Sequence, residues 1–393
     1  MLGAVDQGLI SAVLALGVFL TFRILNFADL TVDGSFVTGG ATSAIIIFNG
    51  HSPILATVAG MFAGAAAGGL TGLLHTKLHV DPLLASILVM LGMYTINSHI
   101  MWLGKDGQHR SNVSLLSKTT LFTWLPDQFA HLSTHLANLS HRWHWLSWLL
   151  SWLSNQFAWV ARQDMNATWT SVVTIGIGVV IVVLIVNWFL STRFGLAVMA
   201  TGDNPDMASS MGISIDFTKI VTLMISNGLV GLSGALWAQN AGYSAITDGT
   251  GMILIGLASV ILGNAIFGTR FLWLATIGVV VGAVLYRVAI YLALQWNYID
   301  AVDMKLTSAL LVIVALVLSQ SKGAHALVTR LSPWRRKPSI PEPMSVVPNE
   351  FSPFAEVDAA TPIEIGQPEA GNQPAPDLPA PPAELEPNDR SAS

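Results

Sequence analysis

ILATVAGMFAGAAAGGLTGLL, residues 54–74, decides the fold. These 21 residues carry no charged side chain. As a helix rising about 1.5 Å per residue they span about 30 Å, the hydrocarbon thickness of a bilayer. Gly60, Gly64, Gly68 and Gly72 recur every four residues. That spacing puts the glycines on one helix face, where a neighbouring backbone can approach closely.

Working outward, eight further apolar segments follow the same rule: 8–25, 31–48, 82–103, 171–190, 217–239, 251–267, 272–294 and 306–318. The chain therefore reads as an all-α polytopic membrane protein with about nine transmembrane helices. The segment at 31–48 is polar in its first half, and that at 306–318 is short. Composition agrees. Of 393 residues, 52 % are apolar and 10 % charged, against about 25 % charged in soluble domains. This excludes a soluble enzyme and a nucleic-acid binder. With no cysteine, disulfides, thiol catalysis and thiolate metal sites are excluded too. The first apolar run lacks a basic leader and a small-residue cleavage site, so it is expected to be a retained span.

Lys and Arg set the expected orientation. Arg23, Lys77, Arg193, Lys219 and Arg270 fall on alternate connections, and with nine spans the basic run from Lys322 to Lys337 joins them. That side is expected to be cytoplasmic, in a multi-pass protein of the cell membrane. The organisation is then an N-terminal transmembrane half (1–103), an outer insert (104–168), and a C-terminal half (169–320) with a connection at 192–219. A cytoplasmic tail (321–393) follows. The insert holds six of thirteen tryptophans and five of ten histidines. Trp145, Trp148, Trp152 and Trp159 fall on one helical stripe, which predicts a helix lying in the outer interface. His131, His135, His141 and His144 accompany them. The alternatives there are a metal site and interfacial histidines, and the missing Cys and Glu favour the second. Glutamate is absent before Glu342, and the Pro-rich acidic tail is expected to be disordered.

Two stretches carry functional signals. LNFADLTVDGSF (25–36) places two aspartates at a membrane boundary. Such residues are costly there without a role. Asp33-Gly34 is a turn or break signal. The stretch is either a broken segment that shapes a pathway or gate, or a loop with an Asp cap. The second stretch, TRFGLAVMATGDNPDMASSMGISIDFTK (192–219), is long for a bundle connection. Asn204 and Pro205 begin a helix well, and Gly212 ends one. Met207, Ala208 and Met211 give that short helix an apolar face, suited either to docking or to a helix lying in the membrane interface. Among polar residues in the spans, Asn97, Asn227 and Asn264 either join helices or line a wet path. Asp29, Asp33, Ser35, Thr38 and Thr42 complete the pathway candidates. Arg287 lies near the outer end of its span, where snorkelling is the expected outcome.

The 192–212 stretch followed by the glycine-rich span around Gly228, Gly231 and Gly234 resembles the permease subunits of ABC importers. More narrowly it resembles the branched-chain amino acid and ribose-type permeases. LNFADLTVDGSF looks like the tryptophan/tyrosine-type permeases of that family. The resemblance covers roughly residues 8–103 and 170–320; the insert and the acidic tail are unusually long for it. It implies that the short helix docks on a separate ATPase. Gly202, Asp203, Asn204, Ala208 and Gly212 match the loop pattern, with Met207 and Met211 as contacts. It also implies no catalytic residue, metal or cofactor in this chain, ATP-Mg in the partner ATPase, and an extracytoplasmic substrate-binding protein. A homodimer or pseudo-symmetric heterodimer in the lipid is implied as well. The absence of G-x-x-x-x-G-K-[ST] agrees with a chain that has no nucleotide site of its own. The implied solute is a small amphipathic molecule, an amino acid, with aromatic ones among the candidates; a sugar or nucleoside is the alternative. The other classes weighed are an ion- or proton-coupled carrier, which would need intramembrane carboxylates, and a membrane enzyme, which would need polar clusters at depth.

Overall fold

The computed structural model describes residues 1–104, 111–124, 167–268, 271–295 and 313. The elements are α1 (Leu2–Val18), continued by a π-helical turn (Phe19–Ile24), then α2 (Thr31–Phe48), α3 (Pro53–Lys77) and α4 (Pro82–Trp102). After β1 (Asn112–Ser114) come α5 (Ala167–Ser191), α6 (Arg193–Asp203), α7 (Pro205–Ser210) and α8 (Ile215–Ala241). The chain continues with β2 (Tyr243–Ala245), a 3-10 turn (Ile246–Gly249), α9 (Met252–Phe267) and α10 (Leu272–Gln295). Among the described residues, eight helices are long and apolar enough to cross a membrane. The ninth segment, 306–318, lies outside the described residues except for position 313. So do the tryptophan stripe, its histidines and the tail.

Local chemistry sets the helix ends. Ser52 accepts from the Leu55 N–H and is followed by Pro53, so α3 starts there. Asp81 accepts from the Leu83 and Leu84 N–H groups ahead of α4. Thr192 and Asn204 do the same for α6 and α7. Gly242, at φ 74, ends α8 in the left-handed conformation that glycine adopts without strain.

α1 lies at the centre, buried along one long stretch from Ile10 to Leu20, and packs on α5, α8, α9 and α10. The second packing unit is α2, α3 and α8, held together by glycine. Gly39 of α2 meets the Gly231 backbone of α8. A Cβ on Gly64 of α3 would stand 2.8 Å from Gly231 Cα, and one on Gly60 would stand 2.7 Å from the Gly39 carbonyl. The glycine stripe of residues 54–74 is thus the face that seats α3 on α8 and α2.

β1 and β2 pair antiparallel, with Val113 opposite Ser244. The described start of the 104–168 insert is therefore a strand paired with β2, with Leu115 buried. From β2 the chain doubles back along α2: Ser244 lies at Gly40, and Gly249 packs on the Asp33 backbone. α9 therefore begins beside the first turn of α2, well away from the end of α8. It has only 16 residues.

Candidate functional site

The polar residues of 25–36 separate into two environments. The first is a buried network between α2, α3 and α8. Asn227 donates from Nδ2 to Asp29 Oδ2 at 2.6 Å and to the Leu223 carbonyl at 3.1 Å. Ser35 Oγ donates to Asn227 Oδ1 at 2.7 Å. Asp29 Oδ1 accepts from the Thr31 N–H, and the Thr31 and Thr71 hydroxyls share a 2.7 Å bond. All five side chains are buried. Asn227 therefore joins the 25–30 link and α2 to α8, and helix-joining is one of the two roles open to it from the sequence; Asp29 and Ser35 are its partners. Asp29 sits in the 25–30 link, outside the helices. Burial pushes its carboxyl group up from the ordinary range, and the Asn227 and Thr31 donors pull it partly back.

The second environment surrounds Asp33. The sequence offered Asp33-Gly34 as a break, but both residues lie within the first turns of α2. The irregular stretch is the preceding one, 25–30, which holds Asn26 at φ 55. The physical reason is that Asp33 caps another helix. Its Oδ2 accepts from the Gly251 N–H at 2.9 Å and its Oδ1 from the Ile253 N–H at 2.8 Å. These donors open α9, and a carboxylate at a helix N-terminus satisfies orphan N–H groups and matches the helix dipole.

A cavity of about 190 Å³ lies beside this cap, lined by Asp33, Gly34, Val37, Met90, Leu91, Tyr94, Asn97, Ile246, Gly249 and Thr250. Asn97 is 1 % exposed; its Nδ2 donates to the Gly34 carbonyl at 3.2 Å, and its Oδ1 has no partner. A buried acceptor without a partner is an uncommon and costly arrangement. Thr38 is close by, bonded to the Gly34 carbonyl and to Met93 Sδ. The cavity is apolar with few convergent polar groups, as small-molecule sites are. Met90, Tyr94 and Asn97 share one face of α4 at spacings of four and three. The sequence reading took Asn97 alone, although Tyr94 one turn away was visible by the same periodicity. Thr42 and Asn264 lie elsewhere, each with an unpartnered side-chain oxygen.

The 192–219 connection holds two short helices where the sequence predicted one. α6 contains Gly202, packed on the Ile24 carbonyl at the end of the π-helical turn, so a side chain there would collide with backbone. Asp203 is exposed. Asn204 caps α7 through the Met207 N–H at 3.0 Å, and Gly212, at φ 81, ends it. Ala208 is buried, whereas Met207 and Met211 are 62 % and 68 % exposed. The expected single face of Met207, Ala208 and Met211 is therefore divided: alanine seats the helix and the methionines point away from the bundle.

Arg287 is a correction. It does not snorkel; it is 8 % exposed, donates from Nε to Ser11 Oγ at 3.1 Å, and lies over the Trp237 ring at 5.3 Å. α10 packs along α1 here, so neighbouring helices enclose the guanidinium. Asp6 was not foreseen. It is buried and accepts from Ser171 Oγ and Asn240 Nδ2, each at 2.8 Å, tying α1 to α5 and α8. Gln239 likewise links Ser43, Thr57 and the Leu121 N–H. Among the described residues, no group of three or more His, Asp or Glu side chains could hold a metal ion.

The comparisons with known proteins agree on one class. The family model described as branched-chain amino acid transport system / permease component matches residues 1–317. A tyrosine transport system permease protein of Clostridioides difficile is 33 % identical over 80 % of this chain and 90 % of its own length. An uncharacterised protein of Rickettsia prowazekii, RP368, is 29 % identical over 68 % of this chain and 78 % of its own. The autoinducer 2 import system permease protein LsrC of Photorhabdus laumondii is 29 % identical over 30 % of this chain and 34 % of its own. No solved structure matches.

Proposed function

The chain belongs to the branched-chain amino acid transport permease family, and we propose that it is the membrane subunit of an ABC importer, driven by a separate ATPase that docks on α6 and α7. The observation that carries the docking reading is the pair of methionines, Met207 and Met211, held outward on a capped helix. Methionine is flexible and polarizable, which suits a surface that must stay in contact while a partner moves. α6 bears on the end of α1 through Gly202 and Ile24. From there the 25–30 link leads through Asp29 to Asn227, and through α2 to Asp33, α9 and the cavity. Closure of two ATPases would shift α6 and α7, and this path would change the opening of the bundle in an alternating-access cycle. ATP and its magnesium would be held by the ATPase, and this chain would carry no chemistry of its own.

The proposed solute is a small amphipathic molecule, most simply an amino acid, with aromatic ones among the candidates. Val37, Met90, Leu91 and Tyr94 supply apolar contact, and Asn97 Oδ1 accepts from an N–H or ammonium group. The tyrosine permease relative supports this reading; the match to LsrC keeps a sugar as the second. Delivery would come from an extracytoplasmic binding protein. α4 exposes Tyr94, Thr95 and His99, which are poor lipid-facing residues, and this supports a second copy or a related subunit against that face. The Arg23 end, with the C-terminal tail, would face the cytoplasm of a cell membrane.

Co-purification tests the reading. Membrane-extracted wild type is expected to bring down an ATPase, and the Met207→Glu/Met211→Glu variant to lose it while remaining folded. An intact wild type that captures no ATPase would overturn the ABC assignment and leave a secondary carrier.

A further inference from the structure

His75, near the end of α3, touches three separate elements. Its Nδ1 lies 2.9 Å from the Val80 carbonyl, in the turn before α4. Its Nε2 lies 3.1 Å from Lys219 Nζ, on the first turns of α8. Its ring meets Phe27, in the 25–30 link, edge-on with centroids 5.3 Å apart. These contacts leave one protonation state. A carbonyl accepts only, so Nδ1 must carry the proton and donate to Val80. An ammonium donates only, so Nε2 must present its lone pair to Lys219. A neutral imidazole with its proton on Nδ1 satisfies both. A protonated ring satisfies one, and sets a second cation 3.1 Å from the ammonium.

The elements that His75 joins are those on either side of the docking helices. α8 follows α7 directly, and the 25–30 link bears on α6 through Leu25, whose backbone lies against Gly202 and whose side chain packs with Val198. The segments it holds are strained as well: Asn26 and His79 are the two described non-glycine residues with positive φ, at 55 and 54. Backbone in that region persists only where its surroundings hold it. The other charged groups nearby are already engaged or point outward. Lys77 of α3 pairs with Asp216 of α8 at 3.2 Å on the exposed surface. Asp81 caps α4, and His79 is exposed. In the link, Asp29 is committed to Asn227 and Thr31, and Arg23 at the end of the π-helical turn is exposed.

We propose that His75 is a positioning residue, a neutral latch that ties the α7–α8 segment to the α3–α4 turn and the 25–30 link, and that protonation releases it. Its use in coupling rests on the docking reading above; the latch itself does not. Acidification on the Arg23 side would then loosen the docking segment without touching the cavity.

The test is hydrogen exchange of the full-length chain in nanodiscs of phosphatidylethanolamine and phosphatidylglycerol, at about pH 8 and about pH 5.5. Rates in residues 78–81 and 211–219 are compared with the intrinsic rate at each pH. At the higher pH, His75→Phe keeps the ring contact but loses both bonds, and these segments should exchange roughly tenfold faster, as two ordinary hydrogen bonds imply. His75→Gln offers a donor and an acceptor with no proton to gain, so at both values it should keep the rate that wild type shows at the higher pH. At the lower pH wild type should approach His75→Phe in 211–219, where the Lys219 bond is lost, and keep its protection in 78–81, where Nδ1 still donates to the Val80 carbonyl. Lys219→Met removes the clash that protonation creates and should abolish that response even if His75→Phe does not fold. Wild-type rates that do not change with pH would overturn the proposal, as would an equal pH response in wild type and His75→Gln. If the exchange pattern holds but wild type captures no ATPase, the latch stands and the docking reading falls.

Discussion

Removing the Asp33 carboxylate should unfasten α9. Two backbone N–H groups, of Gly251 and Ile253, bond to it at 2.9 and 2.8 Å. Hydrogen bonds to charged groups contribute about 1.5–3 kcal/mol each. The cavity beside the cap lets water replace part of what is lost, so the lower end applies, and Asp33→Ala should cost about 3 kcal/mol. Asp33→Asn keeps one acceptor but turns an amide N–H toward the other donor, and should cost about half as much. At roughly 2 °C per kcal/mol, the alanine variant should melt about 6 °C below wild type. The assay is tryptophan-fluorescence melting of the detergent-purified chain, with Thr250→Ala as a cavity-lining control that keeps the carboxylate. The expected order is wild type, then Asn, then Ala. Transport should fall in the same order, because the cavity wall formed by Ile246, Gly249 and Thr250 is held in place by this cap. An Asp33→Ala protein that melts with wild type would refute the reasoning, since two orphaned donors would then have cost nothing.

The glycine contacts give a sharper contrast. Gly68→Ala would drive a methyl into the Leu223 carbonyl and to 2.7 Å from Asn227 Cβ, and should cost about 2 kcal/mol or more; Gly92→Ala meets nothing within 4 Å and should be neutral or stabilising by about 0.5 kcal/mol, both read as yield of monodisperse protein and melting midpoint. Asp29 predicts a pH dependence. Burial raises its folded value above the unfolded one, so its contribution is greatest below the ordinary aspartate range and is lost as pH rises through the raised folded value. Asn227→Leu removes a donor that opposes the rise, and should steepen the loss of stability with increasing pH; Asp29→Asn should flatten it, with melting from acid to neutral pH as the measurement. Arg287→Met should keep or raise stability, because the buried cation has Ser11 and Trp237 beside it rather than a carboxylate; a drop of several degrees in melting midpoint would show that the guanidinium holds α10 to α1.

The spans were legible because bilayer thickness and local capping act on the chain one segment at a time. α2 was read as 31–48 and runs over Thr31–Phe48. Asn204-Pro205 and Gly212 marked the limits of α7, because caps are chemistry between neighbours in sequence. α6 was missed: its face is set by Gly202 meeting Ile24, far away in the chain. Asp33 shows the same limit. Its neighbours spell a turn, yet its partners lie more than 200 positions on. Arg287 near a helix end looked free to reach the interface, and only the packing of α10 along α1 closes that route.

For the candidate site, the sequence marked which residues were too polar for their depth: Asp29, Asp33, Ser35, Asn97 and Asn227. What it determined by itself is what local forces and the solvent dictate: where the eight described apolar helices lie, their caps, and the glycine stripe that lets backbones approach. Only the tertiary structure decided that Asp29, Ser35 and Asn227 close on one another, that Asp33 caps α9, and that Asn97 lines a cavity with its Oδ1 buried and unpartnered. A polar group in an apolar medium must find a partner, and which partner it finds depends on helices that are neighbours in space and distant in the chain.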